Sequence, residues 1–430
     1  MNRRNFLQLG AFAGAWAAMN RSAWADATAS PAAGKAWGGW AKGHFQMHFI
    51  HTGVAESMFL IFPDGTTMLL DCGDHAALTR LKLSVPVLPN PGRLAGDWIA
   101  RYVQRVNPAK DVVDYMLLSH FHADHCGTPN WQARSRGKEN TPLGMCPGAR
   151  SGFGLAAERL HFVRAIDRGW PDYNDPIPLV DGVDLELVHM KRIYEWLQKR
   201  DNLQIEKFRL GATDQIVPLK DSAACPGFSV RNITANGSIV LKDGSVRNLY
   251  AGHLKAKRLN ENGMSLGMVF RYGKFSFFTA GDFSDKLRQG GGLPPFEIEN
   301  ALADAVDPVN IAKVNHHGHF SMPKRLVGAL QARVWMFCVW DQLHAVAPVM
   351  ERLADRSLYP GERLLCPTVF PAERRREDAG KTWLPDVAKE VFEGAHVVVD
   401  VPPGGETYSL TFLSAADESM TVRGRMEFKA

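Results

Sequence analysis

The sequence predicts an α/β layered domain whose functional site lies at the ends of its strands. Two short runs of apolar residues support this prediction, because residues 66–70 lead into Asp71 and residues 115–118 lead into His120. A helical pattern over residues 97–106 separates these two strands. Strands that end in polar clusters, with helices between them, are typical of a layered α/β domain.

The N-terminal segment, residues 1–25, is predicted to be an export signal and not a part of the fold. Arg3-Arg4 precedes an apolar stretch over residues 7–19, and Ala23-Trp24-Ala25 supplies a small-x-small cleavage site. The paired arginines resemble the twin-arginine class of signal. A membrane anchor is the alternative, but spanning a bilayer needs about 20 apolar residues. We therefore expect a periplasmic or otherwise exported protein that uses the twin-arginine machinery, begins at Asp26 and has no membrane span after cleavage.

The composition is that of an ordinary globular protein. The chain has 430 residues, of which 45% are hydrophobic and 22% charged, and this length allows one large domain or two average ones. The formal net charge of +5 falls to +2 for the mature chain, because the signal segment carries three arginines and no acidic residue. A nearly neutral protein gives no case for a nucleic-acid-binding surface, so no stable nucleic-acid partner is expected.

The cysteines show no metal-binding spacing. No two of them are closer than 20 residues, which excludes a CxxC motif or a zinc ribbon. Cys72 and Cys126 each follow a candidate site residue near a strand end and are predicted to be buried thiols. The disulfide state of the others is left open: Cys146, Cys225, Cys338 and Cys366.

Residues 26–43 are predicted to form a linker, and residues 44–430 are predicted to form a single domain. The strand pattern weakens over residues 130–227, where glycine, proline and charged residues mix and one amphipathic helix is predicted over 188–208. We interpret 130–227 as an insertion that lies over the site and shapes the substrate pocket. The other predicted elements are strands over 44–50, 57–62, 228–233, 268–272, 275–278, 309–314, 334–339, 396–401 and 407–413, and a helix over 347–354.

The segment SHFHADHCG, residues 119–127, contains the densest group of ligand-type residues. Because side chains alternate along an extended run, His120 and His122 are expected to point to the same side, towards one metal. Asp124 and His125 come from the turn beyond and can face a second metal. Imidazole and carboxylate groups are ligands that zinc, manganese and iron accept. A polar loop without a metal is the alternative interpretation, and the spacing favours the metal site.

The His-x-His-x-Asp-His motif resembles the signature of the metallo-β-lactamase fold. His-His-Gly, at 316–318, resembles the branch that includes the hydrolase domain of ComEC-type competence proteins and phosphorylcholine esterases. The resemblance covers roughly residues 44–415 apart from the insertion, and it implies a four-layer αββα sandwich with an inserted segment. Four further segments carry the resemblance: TTMLLDCG at 66–73, Asn262-Gly263 with Ser265, FSFFTAGD at 275–282, and His344 after WMFCVW.

Carried over by position, the resemblance implies a complete set of metal ligands. These are His120 and His122 for one metal, Asp124 and His125 for the other, Asp282 as the bridge, and His317 and His344 to complete the two shells.

The remaining candidates near the motifs are assigned other roles. His317 is favoured over His316 as the ligand, because adjacent residues on a strand point apart. His316 is then expected either to support the ligands from behind or to contact the transition state. His253 lies where other branches keep a ligand, but an ordinary surface or core histidine is the favoured interpretation of it. Asp71 is expected to anchor the metal loops by hydrogen bonds and not to be a ligand. The sequence departs from the branch at His319, usually a small residue, and at Ala345, usually a proline, which leaves the substrate class in question.

The resemblance implies an exported hydrolase with two divalent metal ions, zinc first, with manganese and iron as alternatives. A metal-activated hydroxide would attack a small-molecule phosphoester or a phosphodiester. Asp124 would bind metal and orient the nucleophile, and His316 would stabilise developing oxyanion charge. Hydrolysis of a lactone, thioester or β-lactam is an alternative, and so is a non-catalytic ligand-binding protein, since one fold hosts many functions.

Overall fold

The computed structural model describes residues 33–75, 85–128, 151–179, 184–250, 259–284 and 297–430. Two large sheets dominate these residues. The nine-stranded first sheet has the order β17-β16-β15-β1-β2-β3-β4-β5-β6, with β1 Phe45–Phe49, β2 Ser57–Ile61, β3 Thr67–Cys72, β4 Val112–Leu117, β5 His161–Asp167, β6 Gln204–Lys207, β15 Ala395–Val401, β16 Thr407–Ser414 and β17 Val422–Lys429. The eight-stranded second sheet has the order β14-β13-β12-β11-β10-β7-β8-β9, with β7 Phe228–Ala235, β8 Ser238–Val240, β9 Val246–Asn248, β10 Gly267–Tyr272, β11 Phe275–Thr279, β12 Ile311–Lys313, β13 Val334–Phe337 and β14 Leu364–Pro367.

Helices cover the outer faces of both sheets. They are α1 Ala95–Val106, α2 Ala123–Cys126, α3 Phe153–Ala157, α4 Leu185–Asp201, α5 Ile298–Leu302, α6 Lys324–Leu330, α7 Ala347–Ala354 and α8 Ala372–Glu377. Short 3₁₀ turns lie at Ser222–Ala224, Glu261–Met264, Asn315–Gly318, Leu384–Asp386 and Lys389–Val391. None of the described helices has the length and apolar character needed to cross a bilayer.

The core between the two sheets is rich in phenylalanine. Phe45 and Phe62 of the first sheet meet Phe228 and Phe270 of the second, and the Phe62 and Phe228 ring centroids are 4.7 Å apart. All except Phe228 are fully buried, and each such side chain contributes about 1.5–3 kcal/mol by leaving water. The side chains that alternate with them along each strand face the helices, so both faces of each sheet are covered.

The helices complete the layers. α1 places Ile99, Tyr102 and Val103 at helical spacing on one buried face, and these residues join α3 and α4 in a cluster against the first sheet. Apolar residues of α5, α6 and α7, such as Leu326 and Met350, pack with the second sheet. The order helix, sheet, sheet, helix confirms the predicted α/β class and its four-layer αββα arrangement.

Each sheet contains a parallel half, and the carboxyl ends of those halves define one edge of the molecule. β3 to β6 are parallel, as are β11 to β14. Loops at strand ends are where α/β proteins place functional groups. β3 ends at Asp71-Cys72, β4 leads to His120, β11 to Asp282, β12 to His317 and β13 towards His344.

Two element predictions were wrong in their extent. The predicted helix over 188–208 ends at Asp201, because Asn202 adopts the left-handed conformation (φ 57°) that terminates helices, and β6 follows it. The strand over 407–413 was predicted to be the last, but β17 pairs antiparallel with β16. β17 alternates exposed charged residues with apolar ones at the sheet edge, so it lacks a clear hydrophobic signal.

The predicted insertion, residues 130–227, contributes to the framework as well as to the site. Its described parts include β5, β6 and α4, which extend the first sheet and its outer layer. Ser151 lies beside the loop that follows β4, where its Oγ accepts a hydrogen bond from Thr128 N at 2.9 Å. The role of the segment as a pocket-shaping insertion stays a prediction. Residues 1–25 and His253 lie outside the described residues.

The cysteines in the described part of the chain are buried and have free thiols. Cys72 and Cys126 are both fully buried, which confirms the prediction made for them. Burial also raises the pKa of both thiols well above its ordinary value. These thiols are therefore part of the packed interior.

Several histidines far from the strand-end loops are buried on the helix side of the first sheet. His48 Nδ1 lies 3.0 Å from Tyr102 Oη, and the Tyr102 and His396 rings are 4.5 Å apart. Burial lowers the pKa of His48 to about 3 and that of His51 to about 4. These imidazoles are therefore neutral in the folded state near pH 7.

Acidification should destabilise the protein through these histidines. Their folded pKa lies below the unfolded value of 6.5, so the unfolded state binds more protons and stability falls as the pH decreases below about 6.5. Each such histidine contributes a slope of about 1.4 kcal/mol per pH unit. Urea unfolding at pH 7 and pH 5 should show a smaller pH dependence for His48→Gln than for the wild type. An unchanged pH dependence in His48→Gln, matching the half-exposed control His161→Gln, would contradict this account.

Candidate metal centre

The metal-binding loop is the segment from Ser119 to Gly127, and neighbouring backbone holds it in place. Glu56 N donates to Asp124 O at 2.9 Å, and Asp74 N donates to Ala123 O at 2.9 Å. At Gly73 a Cβ would lie 1.7 Å from Asp124 O, so only glycine permits this close approach. Backbone contacts with the strand ends of the first sheet therefore position the loop, independently of its side chains.

Four ligand-type side chains from both sheets converge in what we call the central cluster: Asp124, His125, Asp282 and His317. Oδ2 of Asp282 lies 3.1 Å from His125 Nε2 and 3.1 Å from His317 Nε2. Oδ2 of Asp124 lies 3.1 Å from His317 Nε2 and 3.7 Å from His125 Nε2. All four residues are buried, and Asp124 is the most exposed of them at 7%.

The cluster is electrostatically coupled. Burial alone would raise the pKa of Asp124 and of Asp282, but the facing His125 and His317 outweigh it and hold both pKa values well below the ordinary range. Burial alone would lower the pKa of His125 and His317, but the carboxylates, Asp282 first, raise both well above 6.5. Imidazoles and carboxylates that face each other in this way are the groups that bind a divalent cation, with the imidazoles deprotonated when it binds.

The residues present fit a divalent metal ion. Oδ1 of Asp282 is buried and has no hydrogen-bond partner within the described part of the chain, and Nε2 of His125 has only its ion pairs with the Asp282 and Asp124 carboxylates. Unsatisfied buried polar atoms are costly and call for an explanation. Together with the imidazole and carboxylate donor set, they point to a bound cation of the zinc, manganese or iron type.

A further carboxylate, that of Asp71, contacts the other ring nitrogen of His125. Asp71 Oδ2 lies 2.8 Å from His125 Nδ1, and its Oδ1 accepts from Ser119 N at 2.7 Å. This arrangement confirms the prediction that Asp71 anchors the metal-binding loop. A carboxylate on Nδ1 fixes the orientation of the imidazole and directs Nε2 towards a metal.

Glu56 lies beside the Nδ1 atom of His317, as Asp71 does beside that of His125. The sequence did not predict a role for Glu56. Glu56 Oε2 lies 3.2 Å from His317 Nδ1, and Oε1 accepts from the fully buried Lys313 Nζ at 2.8 Å. Glu56 also lies within 4.8 Å of His125, Asp282 and His317, close enough to be a ligand itself. Because Lys313 occupies one of its oxygens, we assign Glu56 to orienting His317, together with the Cys338 carbonyl oxygen, which lies 2.8 Å from His317 Nδ1. Its only sequence signal is a lone acidic residue beside the apolar run of β2.

His120 and His122 form a pair beside the central cluster. His120 Nε2 lies 3.2 Å from His122 Nδ1, and the His120 ring centroid is 4.2 Å from that of His125. His120 is fully buried and His122 half-buried. Burial first, and then His125 and His122, lower the pKa of His120 well below 6.5, so its ring is neutral and able to bind a metal.

His316 and His317 have different surroundings in the structure. His317 enters the central cluster, whereas Ser284 Oγ and Asn262 Nδ2 lie 2.6 Å and 3.3 Å from the two ring nitrogens of His316. The expected reason for this difference was wrong, because the two residues occupy a 3₁₀ turn and not a strand. Both have left-handed backbone conformations, with φ of 49° and 54°. Non-glycine residues adopt this conformation where the surroundings enforce it, often at functional sites.

His344 and Trp340 close the side of the cluster next to His317. The His344 ring stacks on the His317 ring at 4.9 Å, and Trp340 Nε1 lies 3.1 Å from His317 Nε2. His344 is 6% exposed, and its Nδ1 has no hydrogen-bond partner among the described residues. The structure thus brings His344 next to the cluster without placing it inside.

A buried ion pair fixes the backbone between His120 and His122. Glu261 Oε1 accepts from Phe121 N at 3.1 Å, and both Glu261 oxygens accept from the Arg168 guanidinium at 2.7 Å. Arg168 is 1% exposed and lies within the predicted insertion. That segment therefore helps to position the His120–His122 pair.

Comparison with known proteins identifies one domain. The sequence model of the metallo-beta-lactamase superfamily matches residues 51–131, which include β2 to β4, Asp71 and the whole metal-binding loop. Asp282 and His317 lie beyond the match, on the second sheet. The match covers less than half of the chain and shows a segment similar to the superfamily without singling out a branch, so the likeness to the His-His-Gly branch stays a prediction. No curated protein matches the chain.

Proposed function

We propose that this protein is an exported hydrolase that uses two divalent metal ions, zinc first, to cleave a phosphoester or phosphodiester. One observation carries the proposal: Oδ2 of Asp282 lies 3.1 Å from Nε2 of both His125 and His317, at the junction of the two sheets. A single carboxylate oxygen that faces two imidazole nitrogens in a buried site is suited to contact a shared cation. The metallo-beta-lactamase match over residues 51–131 supports the same chemistry.

Two groups of residues would hold the ions. Asp124, His125 and His317 would hold one and the His120–His122 pair the other, with Asp282 between them and His344 completing a shell. Bound divalent cations supply Lewis acidity, which lowers the pKa of water towards neutrality and offsets anionic charge. The buried carboxylates Asp71 and Glu56 would keep His125 and His317 oriented.

Asp124 and His316 are the proposed catalytic side chains. The Asp124 side chain is 10% exposed, more than Asp282 at 2%, so it is the carboxylate placed to meet a water molecule and to orient it. Ser284 and Asn262 fix the His316 ring at the edge of the cluster. Because these two contacts occupy both ring nitrogens, His316 would exchange one of them for developing negative charge on the substrate.

A hydrolytic screen tests this proposal. The metal-loaded protein is assayed with bis(p-nitrophenyl) phosphate, p-nitrophenyl phosphate, a lactone, a thioester and a β-lactam, and Asp124→Asn is the matched control. We expect hydrolysis of a phosphate ester that disappears with a chelator and falls at least about a hundredfold in Asp124→Asn. Hydrolysis of the lactone, thioester or β-lactam alone would replace the proposed substrate class. Metal uptake without hydrolysis of any substrate would favour the ligand-binding alternative.

Export rests on the sequence of residues 1–25 alone. The twin-arginine machinery carries folded proteins, so the metal centre would be assembled before crossing the membrane. A precursor with Arg3→Lys and Arg4→Lys should then accumulate in the cytoplasm. Normal export of that precursor would point instead to the general secretory route.

A further inference from the structure

We propose that an apolar rim beside the metal centre, formed by Phe320 and Leu343, binds an aromatic or aliphatic group of the substrate. This inference rests on the proposed function and adds to it the chemical class of the substrate: a phosphoester with an apolar substituent next to the reacting phosphorus. The rim is defined by its position, its exposure and the backbone that presents it.

Both rim residues adjoin histidines of the centre. The Phe320 ring lies 4.4 Å from the His319 ring, and the His319 ring lies 5.4 Å from His316 and 5.8 Å from His344. Leu343 directly precedes His344, whose ring stacks on His317 of the central cluster. A ligand whose anionic group reaches the cluster is therefore within reach of the rim.

The exposure of these side chains is unusual for the chain. Phe320 is 60% exposed and Leu343 56%, whereas few other large apolar side chains in the described ranges are this exposed. Single exposed apolar residues are ordinary on a protein surface. Phe320 and Leu343 differ from them because each directly adjoins a histidine next to the central cluster. Val246, which is 59% exposed on β9, is a matched apolar residue remote from the centre.

The backbone holds Phe320 in place and keeps it exposed. Its φ is 49°, a left-handed conformation that is rare for an aromatic residue. Hydrogen bonds fix the segment that follows: Ser321 Oγ donates to Asn315 O at 2.6 Å, and Met322 N donates to the buried Glu299 carboxylate at 3.0 Å. A strained conformation persists only where the surroundings determine it, and it is concentrated at ligand-binding sites.

Calorimetric binding of two phosphonates to the metal-loaded protein tests the rim without turnover. Methylphosphonate needs only the metal centre, whereas phenylphosphonate also offers a ring to Phe320 and Leu343. We expect the wild type to bind phenylphosphonate about tenfold more tightly, which is the scale of a small apolar contact. Phe320→Ala should abolish this preference and leave methylphosphonate binding unchanged. Leu343→Ala, at a residue without backbone strain, should reduce the preference, and Val246→Ala should retain it.

The outcomes separate the rim from the proposed function. Equal binding of the two phosphonates by the wild type, or an undiminished preference in both Phe320→Ala and Leu343→Ala, would overturn the rim and leave the hydrolase proposal standing. Failure of both phosphonates to bind a protein that has taken up its metal would overturn the proposed phosphoester function, and the rim inference with it.

Discussion

Asp282→Ala should lose metal and lose more than about a hundredfold of the hydrolytic activity. Replacing a group that only supports a ligand costs about 10–100-fold in metal affinity or activity, and Asp282 is more central than such a group. Its Oδ2 faces the Nε2 atoms of both His125 and His317. Metal content by elemental analysis and turnover of a phosphodiester measure the two effects separately.

The control for this variant is His253→Ala, for which we expect a mild effect because His253 is only an alternative ligand. Asp282→Asn adds a variant of nearly the same shape that lacks the charge, and it should resemble Asp282→Ala in metal content. Full activity in Asp282→Ala would refute the assignment of the bridging carboxylate. Loss of activity with normal metal content would assign Asp282 to catalysis alone.

Lys313→Met should destabilise the metal-free protein by about 3–5 kcal/mol, the usual cost of removing one partner of a buried ion pair. Lys313 is fully buried, and its Nζ donates to Glu56 Oε1 and to Gly281 O, each at 2.8 Å. It also lies 3.8 Å from Asp282 Oδ1, so it offsets negative charge directly behind the cluster. Its removal leaves the buried Glu56 carboxylate without the lysine that offsets its charge, and only the imidazole of His317 remains next to it.

Bound metal should restore part of this loss, because a cation that binds only the folded state stabilises it. Urea unfolding with and without zinc measures both quantities. The matched control is Lys274→Met, which breaks an exposed pair with Glu406 and should cost less than about 1 kcal/mol. Equal stability of the two variants would show that the Lys313 pair has no special role.

The sequence predicted the features of the fold that depend on neighbouring residues. Apolar runs that lead into Asp71 and His120 correspond to β3 and β4, and the hydrogen bonds of Asp71 are those expected of an anchor. Strand periodicity failed at β17, because its apolar residues alternate with charged ones at an edge. Helical periodicity failed at Asn202, where a single left-handed residue ends α4 before the predicted end of the helix.

Glu56 and Lys313 could not be predicted because their roles depend on contacts between the two sheets. Either residue alone resembles an ordinary charged residue beside a strand, and only the folded chain brings them within 2.8 Å of each other. The turn at His316 and His317 is a similar case. Its conformation follows from the packing around Asn315 and Glu299, which the local sequence does not show.

The number of metal ions bound per chain tests most directly whether the two sheets together form a metal centre. The mature protein is loaded with zinc, freed of excess metal and measured by elemental analysis, with Asp282→Ala treated in parallel. The arrangement of two ligand groups around Asp282 predicts about two ions per chain in the wild type and a clear loss in the variant. Less than about half an equivalent of metal in the wild type after this loading would contradict the claim.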